Sequence, residues 1–472
     1  MPKTVKRIVK NSIVHAFGSF GVAVLNLFLL FGYARILGPD KLGSLVSSQA
    51  QVYIWAFLVD LGLSNGLIGA LTLAEGDRVR MARQGFRARD LVFRVVLFRM
   101  GGAVIGTVGV YLLACIHAGA DQQLFWQDMA FCPFLFVLAL QQSLVAYSSY
   151  LHLQKALAIC NLLGAFLGNS LLLWLAWRGQ NSLTELSLVQ AVLCLLPSFF
   201  LWFAFRQRVH VRRKTFSSRR AERVRGGPWG RAVWTTLSRE AWPYAVTFTV
   251  TLLWSRLDQI VVNHYLGNHA AGQYAVAVRM VGMPLMLSAA LSFSILGDLV
   301  RLGRDAPARL NTVIGALTKV IYRWGVFLAG LVLLLMALLF APFLPKFSQA
   351  LYLLPHFIPG LWAYWIQLFF INALFGLRRY RAVVQVHFLS LVLFLPALFS
   401  LPLFFGLVGV VWAFNLFCFG MVGWGFFYLK KTGIIGKNFS VFGALTKSEM
   451  DLWERSGLMQ FTSLRGGRVE KN

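Results

Sequence analysis

Stretches of about twenty consecutive apolar residues recur along the whole chain, and they constrain the fold more than any motif does. A run of that length, wound as a helix, crosses the ~30 Å hydrocarbon core of a bilayer. Lipid offers no hydrogen-bond partners, so every backbone amide and carbonyl in such a run must be satisfied within the protein, which favours helices. Twelve runs stand out, roughly 12–37, 43–73, 95–118, 127–150, 156–177, 185–206, 241–266, 272–296, 323–345, 356–377, 382–402 and 406–429. Composition agrees, with 58% of residues hydrophobic and 13% charged, where a soluble domain has about a quarter charged. The expected fold is an all-α polytopic membrane protein with twelve transmembrane helices.

The charges orient those helices. Lys and Arg number 45 against 17 Asp and Glu, a formal net charge of +28. Such an excess can mark a nucleic-acid binder, but no polar segment here is long or patterned enough to fold into a basic module. Instead the basic residues gather in alternate loops. With the N-terminus in the cytosol, segments 78–99, 206–239 and 301–323, the turn "RRYR" at 378–381 and the C-terminal tail all fall inside. Outer loops such as "CIHAGADQQ" and "LGNHAAG" contain almost no Lys or Arg, as the positive-inside rule requires. Both termini are therefore expected in the cytoplasm. The first apolar run is longer than a signal-peptide core and lacks a small-residue cleavage site, so it is read as a retained span.

The longest basic loop divides the chain into two sets of six spans. The expected organisation is an N-terminal six-helix bundle at 1–206, a basic cytoplasmic linker at 207–240, a second bundle at 241–429 and a basic tail at 430–472. The tail carries a weak amphipathic patch around Met450–Met459. Five cysteines lie in or beside apolar runs without CxxC or metal-ligand spacing; they read as packing residues, and neither a metal nor a cofactor is expected.

The two halves also share a motif. After the first span comes "ILGPDKLG" (36–43), and after the seventh comes "YLGNHAAG" (265–272). Both contain L-G-x4-G at the same outward turn, and equivalent spans run in the same direction. This is the signature of a parallel repeat about an axis along the membrane normal, with the substrate path between the halves. The segment "RILGPDKLGSLVSSQAQVYIWAFLVDLGLSNGL" (35–67), with "DLGL" in its second span, resembles the opening of the polysaccharide transporters of the multidrug/oligosaccharidyl-lipid/polysaccharide flippase superfamily. So does "RLDQIVVNHYLGNHAAGQYAVAVRM" in the second half. The resemblance implies two six-helix bundles around a central cavity that opens alternately to each side. It also implies a Wzx-type flippase of the bacterial inner membrane. Such a protein moves an undecaprenyl-pyrophosphate-linked oligosaccharide, an O-antigen, exopolysaccharide or capsule unit, alongside a polysaccharide polymerase and chain-length proteins. The major facilitator superfamily also has six plus six helices, but "EGDRVRMARQG" (75–85) has the wrong glycine spacing for its loop signature.

Ionisable residues at membrane depth face a cavity or a partner, because lipid does not solvate them. Counted from the outer end of its span, Arg256 lies about 15 Å deep, near the midplane. Arg279, counted from Gly272, lies at about 10 Å, and Arg35 sits at the outer edge, where it can snorkel. Arg256 and Asp258 are two apart on one helix and point to different faces. Thr249, Arg256, Gln259 and Asn263 share one stripe, read as lining the cavity, while Asp258 faces a neighbouring helix. Arginine suits a pyrophosphate because its planar guanidinium gives paired hydrogen bonds and keeps its charge when buried. The expected substrate-binding residues are thus Arg256, Arg279, Gln259, Asn263, Thr249 and Arg35. An alternative for Arg256 is a purely structural pairing with Asp60 or with a backbone carbonyl. Asp60, read as an isolated carboxylate in the inner half of span two, and Asp258 are the candidate ion-coupling groups. Other polar residues within spans, among them Asn26, Gln141, Asn161 and Asn169, are of the uncharged hydrogen-bonding kind that a sugar-binding cavity needs. Most such residues are interhelical contacts, however, and none is assigned to a site individually.

An enzyme is not expected. The outer loops are too short to house a catalytic site, and no paired-carboxylate or His-cluster motif occurs. The main alternative function is export of drugs or other small molecules on the same fold.

Overall fold

The computed structural model describes residues 3–64, 67, 88–118, 122–150, 153–179, 182–203, 229–305, 307–377 and 379–431. The basic cytoplasmic segments expected at 78–87 and 206–228, the first residue of the 378–381 turn and the tail from 432, with its amphipathic patch, lie outside these residues. Residues 229–240, placed in the linker from sequence, are the start of a long helix.

In chain order the helices are α1 (Lys3–Ile54), α2 (Ala56–Asp60), α3 (Ala88–Ala118), α4 (Gln122–Ala130), α5 (Pro133–Tyr150), α6 (Gln154–Trp177) and α7 (Leu183–Leu193). The second half has α8 (Trp229–Asp305), α9 (Pro307–Phe340), two 3₁₀ turns (Ala341–Phe343 and Pro345–Phe347), α10 (Ser348–Gly376) and α11 (Tyr380–Lys431). No strand occurs among the described residues.

Three of these helices are too long to cross a bilayer once, and each is broken at a glycine. α1 breaks at Gly38 (φ 73°), α8 at Gly267 (φ 81°) and α11 at Gly406 (φ 56°). The first two are the second residues of the repeated motif, where a left-handed backbone reverses the chain without the Cβ clash that other residues meet. Side chains confirm the reversals. Phe394 and Phe417, ~35 Å apart on a straight helix, have ring centroids only 5.7 Å apart. Across the α8 turn, Tyr274 donates to Asp258 at 2.7 Å. Eight long apolar helices and a shorter one at Phe327–Phe343, three of them doubled back, accommodate the twelve expected crossings among the described residues.

The exterior is apolar and several interior positions are charged, the reverse of a soluble protein. Phe404 is 77% exposed while Arg99 is fully buried, so the large apolar side chains facing outward meet lipid. The main core joins the first hairpin, from Leu27 to Val46, to the second half. A smaller core holds Val52, Val59, Ala103, Val110 and Leu135 together in the first half.

Candidate functional site

The turn at Gly267 fixes the level of the two intramembrane arginines. Arg256 lies eleven residues before it and Arg279 twelve after, so both sit roughly 17–18 Å below the turn at 1.5 Å per residue. Counting from Gly272 had placed Arg279 too shallow, because the α-helical return arm begins directly after Gly267. The two guanidinium groups therefore share one level near the midplane.

They meet the first half at Tyr53. The Arg256 guanidinium stacks over the Tyr53 ring, 4.3 Å from its centroid, a cation–π contact strengthened where water is excluded. Tyr53 and Arg279 both line a cavity of about 360 Å³ whose other described walls come from the first half. Arg256 Nε is buried without a hydrogen-bond partner.

The two carboxylates singled out from sequence, Asp60 and Asp258, take their hydrogen bonds from groups other than these arginines, although Asp258 remains close enough to Arg256 to interact with its charge. Asp258 accepts hydrogen bonds from the Tyr274 hydroxyl and the Gln259 amide, both at 2.7 Å, and so ties the two arms of the hairpin together. Asp60 is not isolated, contrary to its sequence-based description. Arg99 donates to it at 2.5 Å, and the Ser64 hydroxyl at 2.6 Å. The same guanidinium also reaches Ser143 Oγ at 2.7 Å and Ser64 Oγ at 2.8 Å. This network surrounds a break in span two, where Leu61 (φ 42°) and Gly62 (φ 68°) leave the helical region. A break at membrane depth is tolerated where protein groups re-satisfy the backbone. Gly102 lets α3 approach the Leu58 carbonyl closely, and that brings Arg99 against the break.

Sequence reasoning missed Arg99 because it adjoins the cytosolic basic segment and looks like one more orientation charge. The available signal was its position four residues inside the apolar run, next to the Gly101–Gly102 pair. Its pairing with Asp60 also removes one of the two structural partners considered for Arg256, the other being a backbone carbonyl.

The remaining expected residues are dispersed. Gln259 donates to the Ala271 carbonyl at 2.8 Å and closes the hairpin rather than facing the cavity. Thr249 bonds back to Ala245 of its own helix at 2.8 Å. Asn263 is partly buried, with its Oδ1 unpartnered. Arg35 is exposed beside Pro342–Phe347 at the outer edge, away from the arginine pair.

Above the cavity the repeated turns close on each other. A Cβ on Gly43 would overlap the Asn268 carbonyl oxygen, and one on Gly272 would overlap that of Pro39. Residues 39 and 268 are equivalent in the two halves, as are 43 and 272, so the contact is reciprocal, as across a two-fold axis. Asp40 and His269, 229 positions apart, are likewise equivalent and face each other at 3.4 Å. Among the described residues, no group of three or more His, Cys, Asp or Glu gathers as a metal site.

Comparison with known proteins bears on the family and the fold. The sequence profile of a family described as polysaccharide biosynthesis protein matches residues 8–295. Curated proteins compared by sequence give no match. Among solved structures, the lipid II flippase MurJ in an inward closed conformation superposes with a TM-score of 0.63 at 11% identity, covering 97% of this chain and 94% of its own. An inward-facing multidrug resistance MATE family transporter of the MOP superfamily gives 0.63 at 13% identity, covering 89% of this chain and 98% of its own. A MOP superfamily transporter from Pyrococcus furiosus, described as having a binding pocket of reverse polarity, gives 0.59 at 14% identity, with coverages of 91% and 96%. At these identities the likeness shows the shared fold: twelve helices in two bundles.

Proposed function

The chain belongs to the polysaccharide biosynthesis protein family, and from that premise we propose that it flips an undecaprenyl-pyrophosphate-linked oligosaccharide across the bacterial inner membrane. The observation that carries this reading is the pair Arg256 and Arg279. They lie at one level near the midplane beside a cavity, with Asp60 ion-paired to Arg99 and Asp258 hydrogen-bonded to Tyr274. Two arginines at one level, neither in a salt bridge among the described residues, favour an anion, and a pyrophosphate offers the geometry a guanidinium binds best. A cationic drug would instead require a free carboxylate at the cavity wall. The termini are assigned to the cytoplasm, and the polymerase and chain-length proteins of the same pathway are proposed as neighbours.

Replacing either arginine with alanine is expected to lower translocation of lipid-linked glycan roughly ten- to hundred-fold at normal membrane levels. That is the loss of one hydrogen-bonded charge contact worth ~1.5–3 kcal/mol. Lysine variants retain part of the activity because charge survives without the planar fork. Near-normal translocation by Arg256→Ala would overturn the pyrophosphate assignment.

Asp60 is the proposed coupling group, since a proton on it would dissolve the ion pair with Arg99 at the broken span. Asp258, the other candidate, is hydrogen-bonded across one hairpin and is proposed to hold its two arms together. Asp60→Asn is expected to flatten the pH dependence of transport; an unchanged profile removes the coupling role.

A further inference from the structure

The cavity beside the arginines is walled by a chemistry that the pyrophosphate does not use. Six carboxamides line it: Asn26, Gln49, Gln141, Asn161, Asn169 and Gln190. Among its described lining residues, Arg279 alone is charged. Tyr33 also lines it; this residue is 2% exposed, and its buried hydroxyl has no hydrogen-bond partner. A buried hydroxyl left unpartnered is uncommon in a native protein unless something else completes it.

We infer that this first-half cavity is a subsite for an uncharged sugar, the one joined directly to the pyrophosphate. The inference rests on the flippase reading above and adds which part of the substrate each half binds. Four of the amides are paired. Gln49 donates to Gln190 at 2.8 Å, and Asn169 to Asn26 at 3.1 Å. Each pair uses one NH₂ and one carbonyl, leaving one of each free whichever way the amides are turned. Paired free donors and acceptors match hydroxyl and acetamido groups, which both give and accept hydrogen bonds. They offer no preference for a cation or an anion.

Size and position agree. About 360 Å³ falls at the low end of the ~300–1,000 Å³ found for small-ligand pockets, too small for a whole oligosaccharide. The arginines stand at its edge, with Arg279 in the wall and Arg256 stacked on the wall residue Tyr53. A sugar one bond from a pyrophosphate held there lies in the amide-lined space. The second half then grips the constant anionic part of the substrate, and the first half senses the sugar.

The test measures binding of two probes to the purified full-length protein: undecaprenyl pyrophosphate, and the same lipid carrying one N-acetylglucosamine. The unaltered protein is expected to bind the sugar-bearing lipid about tenfold more tightly, the worth of one or two neutral hydrogen bonds. Gln49→Leu combined with Gln190→Leu removes both members of an amide pair, so neither is left unsatisfied, and should abolish that difference. Tyr33→Phe, which keeps the ring and its packing, should reduce the difference by a few fold. In both variants the affinity for undecaprenyl pyrophosphate alone stays as it was. If both lipids bind but the variants weaken them equally, or not at all, the sugar subsite is wrong while the flippase assignment stands. If undecaprenyl pyrophosphate does not bind, or binds undiminished after Arg256→Ala, the pyrophosphate assignment fails and takes the subsite with it.

Discussion

Arg99→Ala is expected to destabilise the folded protein by about 3–5 kcal/mol, because it strands the Asp60 carboxylate in the interior without its counter-ion. The arginine is fully buried and spreads its donors over Asp60, Ser64 and Ser143, so one substitution removes a hydrogen bond from each of three groups around a broken helix. It also removes the only cation paired with Asp60 among the described residues. Asp60→Ala should be comparably damaging, since it leaves a guanidinium buried beside two neutral hydroxyls. Arg99→Met combined with Asp60→Leu should lie much nearer the unaltered protein, because replacing a whole buried ion pair with packed apolar groups is often close to neutral. Thermal unfolding in detergent, followed by size-exclusion fluorescence, ranks the four proteins. An Arg99→Ala protein as stable as the original would show that the carboxylate does not depend on this partner. The double variant also separates two roles: if it folds but no longer responds to pH in transport, the pair serves coupling as well as architecture.

That network marks a limit of what local sequence patterns reveal. The twelve crossings and the outward turns were legible because they follow from apolar run length, loop charge and a glycine motif, all local properties. Leu37–Gly38 and Leu266–Gly267 located two reversals to within a residue. The partner of Asp60 was not legible, since only tertiary packing brings α3, through Gly102, against the break at Leu61–Gly62. Helical angle alone grouped Thr249, Arg256, Gln259 and Asn263, yet one stripe serves two neighbours. Arg256 reaches across to Tyr53, whereas Gln259 bonds to Ala271 on the returning arm. The polar residues read as interhelical contacts behave differently as a group: Asn26 and Asn169 do bond between helices, and together with Gln141 and Asn161 they also line one cavity. Single polar residues in a span carry too little information to tell those uses apart, because burial against a helix and exposure to a cavity demand the same side chains.

Gly43→Val is expected to hold the transporter open on its outer side and to stop it from completing its cycle. The closed arrangement described here requires backbone-to-backbone contact between the two repeated turns, and a Cβ at position 43 falls on the Asn268 carbonyl. Main-chain atoms cannot rotate away as a side chain can, so the overlap disfavours this state by about 1–3 kcal/mol, shifting its population roughly 5–150-fold. The open state loses nothing, because the turns are then apart. Gly272→Val should have the same effect through Pro39, since the contact is reciprocal. Both substitutions relieve themselves by the same separation, so the double variant should cost less than the sum of the singles. Cys194, which lines the cavity, reports the change directly. In a background retaining only that cysteine, a membrane-impermeant thiol reagent added from outside should label Gly43→Val and Gly272→Val faster than the parent, while glycan translocation falls. Parental labelling rates with normal translocation in both variants would mean that the turns do not form the outer gate. Faster labelling in only one would mean that the two halves do not close as equivalent partners.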